Sequence, residues 1–188
     1  MKLRSKLTAT GISVGMAISG LAGVAGPAMA AVTDDTTTTF TLTAGLLSIT
    51  APASQDLGSV ATGSASTASV QLGPVAVGDA RGTLLGTWTA SVASTDFKTG
   101  PGSANETIAN ANADYWSGAA TATTGTGSFL PGQALAANEV TLASQRTAFS
   151  ASLLVGNNTA QWNPTVNVNI PAASVAGVYS GTITHSVG

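Results

Sequence analysis

Apolar and polar residues alternate with a period of two along most of the chain after residue 37. The clearest stretches are 40–44, 88–92 and 166–170. This period places the apolar side chains on one face, which is typical of strands with one buried and one exposed face. Gly, Pro, Asn and Asp clusters separate the stretches, and residues 134–142 form at most one or two helical turns. The pattern predicts an all-β fold, an immunoglobulin-like antiparallel β-sandwich.

The first thirty residues have the organisation of a secretory signal peptide. Three of the first six residues are basic, and a stretch of apolar and small residues follows as far as residue 25. Ala28-Met29-Ala30 then gives the small-x-small pattern that signal peptidase recognises. Glycines dilute the apolar stretch, which argues against a transmembrane anchor. We therefore predict cleavage after Ala30, no membrane span and a secreted, extracellular location.

The rest of the chain has the length of one ordinary domain. Residues 31–37 form a polar N-terminal leader, and residues 38–188 are predicted to form a single β-sandwich domain. The chain contains no cysteine, so no disulfide framework stabilises it. Residues 99–128 are polar and partly low in complexity, and the sequence leaves open whether they form a binding surface or a flexible connection.

The chain has few charged residues, and their balance argues against nucleic acid as a partner. After loss of the signal peptide, three basic residues (Arg81, Lys98 and Arg146) stand against eight acidic ones. A net negative chain has no electrostatic footprint for phosphate backbones. Nucleic acid is therefore not expected as a partner.

The sequence offers little for catalysis. Without cysteine, thiolate nucleophiles and thiolate metal sites are impossible. The one histidine, His185, falls on the apolar face of the last alternating stretch, where a buried, hydrogen-bonded role is expected rather than a catalytic one. One histidine cannot supply the usual zinc ligand set, and the acidic residues form no recognisable glycosidase pair. We predict that the protein is not an enzyme and carries neither a metal nor a cofactor.

Five residues outside the last stretch are candidates for ligand contacts. Trp88 lies in an alternating stretch and is expected in the core, although a role in stacking on sugar rings stays open. Tyr115 and Trp116 are adjacent, so their rings are expected on opposite faces of a strand, and this pair is the better candidate for an exposed ligand site. Asp79 and Arg81, two residues apart, are expected to form an ion pair, with a specific role at an opening as the alternative.

Three segments carry a resemblance to a known family. Residues 72–82 contain Asp79-Ala80-Arg81, residues 86–92 contain Gly86-Thr87-Trp88, and residues 181–187 end in His185-Ser186-Val187. Together with residues 47–58, they resemble the WxL domain of cell-surface proteins from Gram-positive bacteria. The resemblance implies a secreted β-sandwich that binds the peptidoglycan cell wall without a covalent link.

The chain departs from the family pattern at both Trp-x-Leu motifs. Ala90 stands where the first motif has leucine, and His185 stands where the second has tryptophan. Both substituted positions stay on the apolar face of their alternating stretches, which favours a retained fold.

The resulting hypothesis is a secreted, non-enzymatic cell-surface module that associates with peptidoglycan or another wall polymer. The alternative is a structural or adhesin-type subunit that assembles with itself or with other surface proteins. A secreted wall hydrolase is a third interpretation. The candidate ligand-binding residues are Asp79, Arg81, Trp88, Tyr115, Trp116 and His185.

Overall fold

A computed structural model describes residue 34 and residues 36–188. The predicted signal peptide and most of the predicted leader lie outside the described residues. A compact unit, Thr41–Gly188, contains every strand described below. About half of the described residues are in strands and the sheets are antiparallel, so the predicted all-β fold is confirmed. Among the described residues, no helix is long and apolar enough to cross a membrane.

The described chain forms twelve strands and three short 3-10 turns. The turns span Ala104–Glu106, Asn110–Asn112 and Ala136–Asn138, the last of them within the region predicted to hold one or two turns. The strands are β1 Leu47–Thr50, β2 Ser66–Gln71, β3 Val75–Asp79, β4 Leu84–Ser94, β5 Phe97–Lys98, β6 Thr107–Ile108, β7 Ala113–Trp116, β8 Ala120–Pro131, β9 Val140–Thr141, β10 Arg146–Trp162, β11 Thr165–Ile170 and β12 Ile183–Val187.

The larger sheet is built around β10, which is 17 residues long. One edge of β10 pairs with β8 along most of its length. Its other edge pairs with β4 through residues 146–155 and with β3 through residues 158–162. Strands β3 and β4 therefore lie end to end along β10. Outside them, β1 pairs with β3 and β12 pairs with β4.

The smaller sheet has the order β2-β11-β7-β9. Its inner face presents the row Val70, Val166 and Tyr115, which are directly paired across three strands. These side chains share one hydrophobic core with Trp88 and Trp162 of the larger sheet. The core between the two sheets makes the fold a sandwich, and the β5–β6 hairpin is a separate two-stranded sheet.

One predicted strand is absent, and one observed strand was not predicted. Residues 40–44 alternate like a strand but belong to none, and Phe40 and Leu42 are 93% and 90% exposed. Residues 117–128 lack an apolar period, yet most of them belong to β8 because β10 supplies their backbone partners.

The last alternating stretch is also shorter than the pattern suggests, since β12 begins only at Ile183. Tyr179 precedes it in a loop, and its hydroxyl lies 3.0 Å from the carbonyl oxygens of Asn105 and Val175. A tyrosine that bonds back to upstream backbone at a corner is a known feature of immunoglobulin-like sandwiches.

Candidate functional site

A buried hydrogen-bonded network joins three of the candidate residues. Arg81 Nε and Nη2 donate to the two carboxylate oxygens of Asp79 at 2.9 and 3.0 Å. Asn158 Nδ2 donates to Asp79 Oδ2 at 3.2 Å, and Trp88 Nε1 donates to Asn158 Oδ1 at 3.0 Å. The Asp79 side chain is fully buried and Arg81 is partly exposed. The Arg81 bonds lower the pKa of Asp79 to about 2, so the network carries a charged carboxylate at neutral pH.

Arg81 also supplies a hydrogen-bond donor to the edge of β4, at a position that β12 does not reach. Thr89 exchanges both backbone hydrogen bonds with Gly188, so its polar groups point toward β12. Thr87, two residues earlier, points its carbonyl to the same edge, at a position beyond the last residue of β12, Val187. Arg81 Nη2 donates to the Thr87 carbonyl at 2.8 Å and takes the place of a strand partner. The Asp79–Arg81 pair therefore has a structural role.

Tyr115 and His185 form a second polar contact inside the sandwich. Tyr115 Oη accepts a hydrogen bond from Trp162 Nε1 at 3.3 Å and lies 3.3 Å from His185 Nε2. A hydroxyl that accepts from tryptophan has its own proton free for His185, which requires an unprotonated Nε2. Burial also disfavours the imidazolium and lowers the pKa of His185 to about 4. His185 is therefore a neutral, inward-facing residue of β12.

The neutral state of His185 predicts a pH dependence of stability. The unfolded chain binds a proton at His185 below about pH 6.5, whereas the folded chain binds it only near pH 4. The free energy of unfolding should therefore fall between pH 6.5 and pH 4, by up to about 3 kcal/mol. Urea unfolding at several pH values measures this. His185→Gln keeps an acceptor for Tyr115 and does not titrate, so its stability should change less in this window. Equal slopes for both proteins would contradict the assignment.

The six candidate ligand residues thus fall into three separate places. Asp79, Arg81 and Trp88 belong to one network, and Tyr115 and His185 belong to another. Trp88 and Tyr115 are fully buried and cannot touch a wall polymer in this conformation, which corrects their assignment as ligand contacts. Trp116 points to the opposite side of β7 from Tyr115 and is half-buried. It is the candidate that the fold leaves on an outer surface.

Trp116 lies on a surface that is otherwise polar. The outer face of the smaller sheet carries Trp116 beside Thr165 and Gln71 in one cross-strand row, and Asp114 beside Asn167 and Ser69 in the next. We call this surface the polar sheet face and define it by six residues: Gln71, Asp114, Trp116, Glu139, Asn167 and Asn169.

Hydrogen bonds between side chains hold the amides of the polar sheet face in place. Asn169 Nδ2 donates to Asp114 Oδ2 at 2.8 Å, and Asn167 Nδ2 donates to Glu139 Oε2 at the same distance. Asn169 Oδ1 also accepts from Thr67 Oγ1 at 2.9 Å. The amide and carboxylate groups are thus fixed on a rigid sheet, next to an aromatic ring.

Such a face has the chemistry of a carbohydrate site. An aromatic ring stacks on the apolar face of a sugar, and amides and carboxylates bond to its hydroxyls. The described residues contain no group of three or more His, Cys, Asp or Glu side chains that could hold a metal ion.

Most of the polar sheet face was missed by the sequence analysis. Residues 165–170 were correctly expected to alternate, but the outward asparagines were treated as ordinary exposed positions. Asparagine is depleted in strands, so Asn167 and Asn169 at alternate positions of one strand were a usable signal. Glu139 and Gln71 gave no signal, because only strand pairing brings them to this face.

A separate cleft has a volume of about 670 Å³. It lies between residues 55–64 and 174–181, and Asp56 is the one charged residue among those that line it. Its apolar floor includes Phe97 and Ile108, which belong to the core cluster.

Comparisons with protein-family models, curated proteins and solved structures found no match to this chain.

Proposed function

We propose that the protein is an exported, non-enzymatic module of the cell surface, and that its polar sheet face binds the glycan of the peptidoglycan wall non-covalently. The observation that carries the proposal is the half-buried ring of Trp116 on the outer face, among side chains that neighbouring groups hold in place. Fixed polar groups around one aromatic surface lose little side-chain entropy when a ligand binds.

The buried networks support a binding role rather than a catalytic one. Asp79 is tied to Arg81 and Asn158, and the imidazole of His185 is tied to Tyr115. A general acid or base has to reach a substrate proton at hydrogen-bond distance. Two of the groups best suited to proton transfer are thus occupied in structural contacts.

The departures from the WxL pattern change packing and not the proposed glycan surface. Ala90 is fully buried and pairs with the bulky Phe149 across β4 and β10. His185 lies on the inner face of β12, against Tyr115. Neither residue belongs to the polar sheet face, so wall binding is expected to survive both substitutions.

Co-sedimentation with purified peptidoglycan sacculi tests the proposal. The chain from Ala31 to Gly188, the predicted exported form, should pellet with sacculi at low and high salt, because the contacts are stacking and hydrogen bonds between largely uncharged groups. Trp116→Ala should raise the apparent dissociation constant for sacculi about fivefold or more, since stacked aromatic groups contribute about 1–3 kcal/mol.

Leu130→Ala is the matched control. Leu130 is 56% exposed on β8 of the other sheet, so this variant should pellet like the wild type. Wild-type protein that stays in the supernatant would refute wall binding. Equal losses for Trp116→Ala and Leu130→Ala would refute the polar sheet face as the contact surface.

A second candidate function is assembly with copies of itself or with other surface proteins. Leu84 pairs with Val155 across β4 and β10, and both are exposed, as are the neighbouring Leu85 and Leu153. Leu85 and Leu153 have φ values of 56° and 55°, a conformation that is strained for bulky residues. Exposed aliphatic side chains clustered on adjacent strands are typical of contact surfaces.

A further inference from the structure

The segment before β1 has a strand pattern without a strand partner. Residues 36–44 read Thr-Thr-Thr-Thr-Phe-Thr-Leu-Thr-Ala and carry no charge. Phe40 and Leu42 are almost fully exposed, and the segment belongs to no strand of the described chain. Alternating β-branched and large apolar residues favour a strand that buries one face. The segment therefore has the composition of a strand while lacking a neighbour.

The fold leaves the segment outside the sheet. Gly45 donates its backbone N–H to the Ala80 carbonyl and fixes the start of β1 beside β3. A Cβ at Gly45 would lie 2.7 Å from the Ala80 side chain, so the chain passes close to β3 here. The next position along the same edge is taken by the end of β12, where Gly188 bonds to Thr89. In the described structure, residues 36–44 make no backbone hydrogen bond to β3 or β4, and the end of β12 lies farther along the same edge.

The outer edge of β12 is a suitable strand partner for residues 36–44. Among the described strands, β12 pairs only with β4, so its other edge is free. Its inward side chains, Ile183, His185 and Val187, are only half-buried, whereas Thr184 and Ser186 face outward. A strand added at this edge would place Phe40 and Leu42 beside the inward row and threonines beside Thr184 and Ser186, which are favourable cross-strand pairs.

The free edges of β8 and β2 fit the segment less well than the edge of β12. The first eight residues of β8 are exposed on both faces, so that edge has no apolar row to match. The inward residues of β2 are Ser66, Ala68 and Val70, which present less apolar surface than the inward row of β12. The edge of β12 therefore matches both the apolar and the polar side of the segment.

We propose that residues 36–44 of one copy add as a strand to the free edge of β12 in a second copy. The inference rests on the second candidate function, assembly, and is independent of glycan binding. Backbone hydrogen bonds supply affinity in such strand addition, and alternate side chains supply the register.

Association is tested first by analytical ultracentrifugation of residues 31–188 over a range of concentrations. Wild-type protein should form dimers or longer species as the concentration rises. Leu42→Asp puts a charge on the apolar side and should abolish these species. Thr41→Asp puts the same charge on the outward side and should retain them. Both positions precede β1 and lie outside every strand, so neither variant disturbs the sandwich.

Cysteine cross-linking then identifies the acceptor edge, since the chain has no cysteine of its own. Thr41→Cys protein should form intermolecular disulfides with Thr184→Cys or Ser186→Cys protein. It should not do so with Thr124→Cys protein, whose cysteine lies on β8.

Three results would overturn the inference. A monomer at every concentration would refute it together with self-assembly. Association that survives Leu42→Asp would leave self-assembly standing and refute the segment as the donor. Equal cross-linking to Thr124→Cys would refute β12 as the acceptor. Sacculus binding by Leu42→Asp should equal that of the wild type, because the polar sheet face is on the other sheet.

Discussion

Replacing Trp88 by alanine is expected to lower the free energy of unfolding by about 3–5 kcal/mol, the range for large core aromatics. Trp88 is 1% exposed, and its ring lies against Phe149 and Phe129 at centroid distances of 6.3 and 6.5 Å. The substitution opens a cavity and also leaves Asn158 Oδ1 without the indole donor that it has at 3.0 Å. Chemical denaturation monitored by circular dichroism measures the loss.

Two further variants separate the causes of this loss. Trp88→Phe keeps most of the packing and removes the hydrogen bond, so about 1–3 kcal/mol should be lost. Trp116→Ala removes a half-buried tryptophan from the outer face and should cost about 1 kcal/mol or less. A Trp88→Ala protein as stable as the Trp116→Ala protein would contradict the burial of Trp88.

Arg81→Gln is expected to destabilise the protein by about 2 kcal/mol at neutral pH. Arg81 holds the pKa of the buried Asp79 at about 2, against 3.8 in the absence of its partners, and a shift of one pKa unit corresponds to about 1.4 kcal/mol. A lowered carboxylate pKa stabilises the fold above the unfolded value of 3.8. This contribution is lost as the pH falls through 3.8 toward 2. The variant also leaves the Thr87 carbonyl without its donor.

The pH dependence of the destabilisation distinguishes loss of the Asp79–Arg81 ion pair from other causes. The stability difference between wild type and Arg81→Gln should be largest near neutral pH and should shrink below pH 4, where Asp79 in the variant is protonated. Arg146→Gln is the control, because Arg146 donates through Nε to the Thr141 carbonyl. Its stability should run parallel to the wild type across this range. A difference between wild type and Arg81→Gln that stays constant down to pH 2 would show that the ion pair is not its cause.

The two acid-sensitive groups act in separate pH windows. His185 accounts for loss of stability between pH 6.5 and 4, and Asp79 for loss between 3.8 and 2. The double variant of Arg81→Gln and His185→Gln tests whether the windows are independent. The two effects should add, since the residues belong to different networks.

Much of the fold follows from local sequence. Trp88 with its neighbours in β4, and Val166 with its neighbours in β11, alternate as predicted and form strands. The Asp79–Arg81 pair could also be predicted from the sequence, because residues two apart on a strand point the same way. These features depend on spacing along the chain and on little else.

The same local reasoning failed where a partner strand decides the outcome. Residues 40–44 have the pattern but no backbone partner among the described strands, whereas β8 lacks the pattern and pairs with β10 over most of its length. Backbone hydrogen bonding between distant segments overrides the side-chain period in both cases.

The sequence by itself determined that this protein is an all-β sandwich, because the period of two is a local property of the backbone. Only the tertiary structure decided that Tyr115 turns inward and Trp116 outward. Alternation along a strand places adjacent side chains on opposite faces but does not say which of them faces the core. The same holds for the polar sheet face, which joins Gln71, Trp116 and Asn167 from three strands. Register between strands fixes which side chains become neighbours, and that register is set by core packing over long sequence separations.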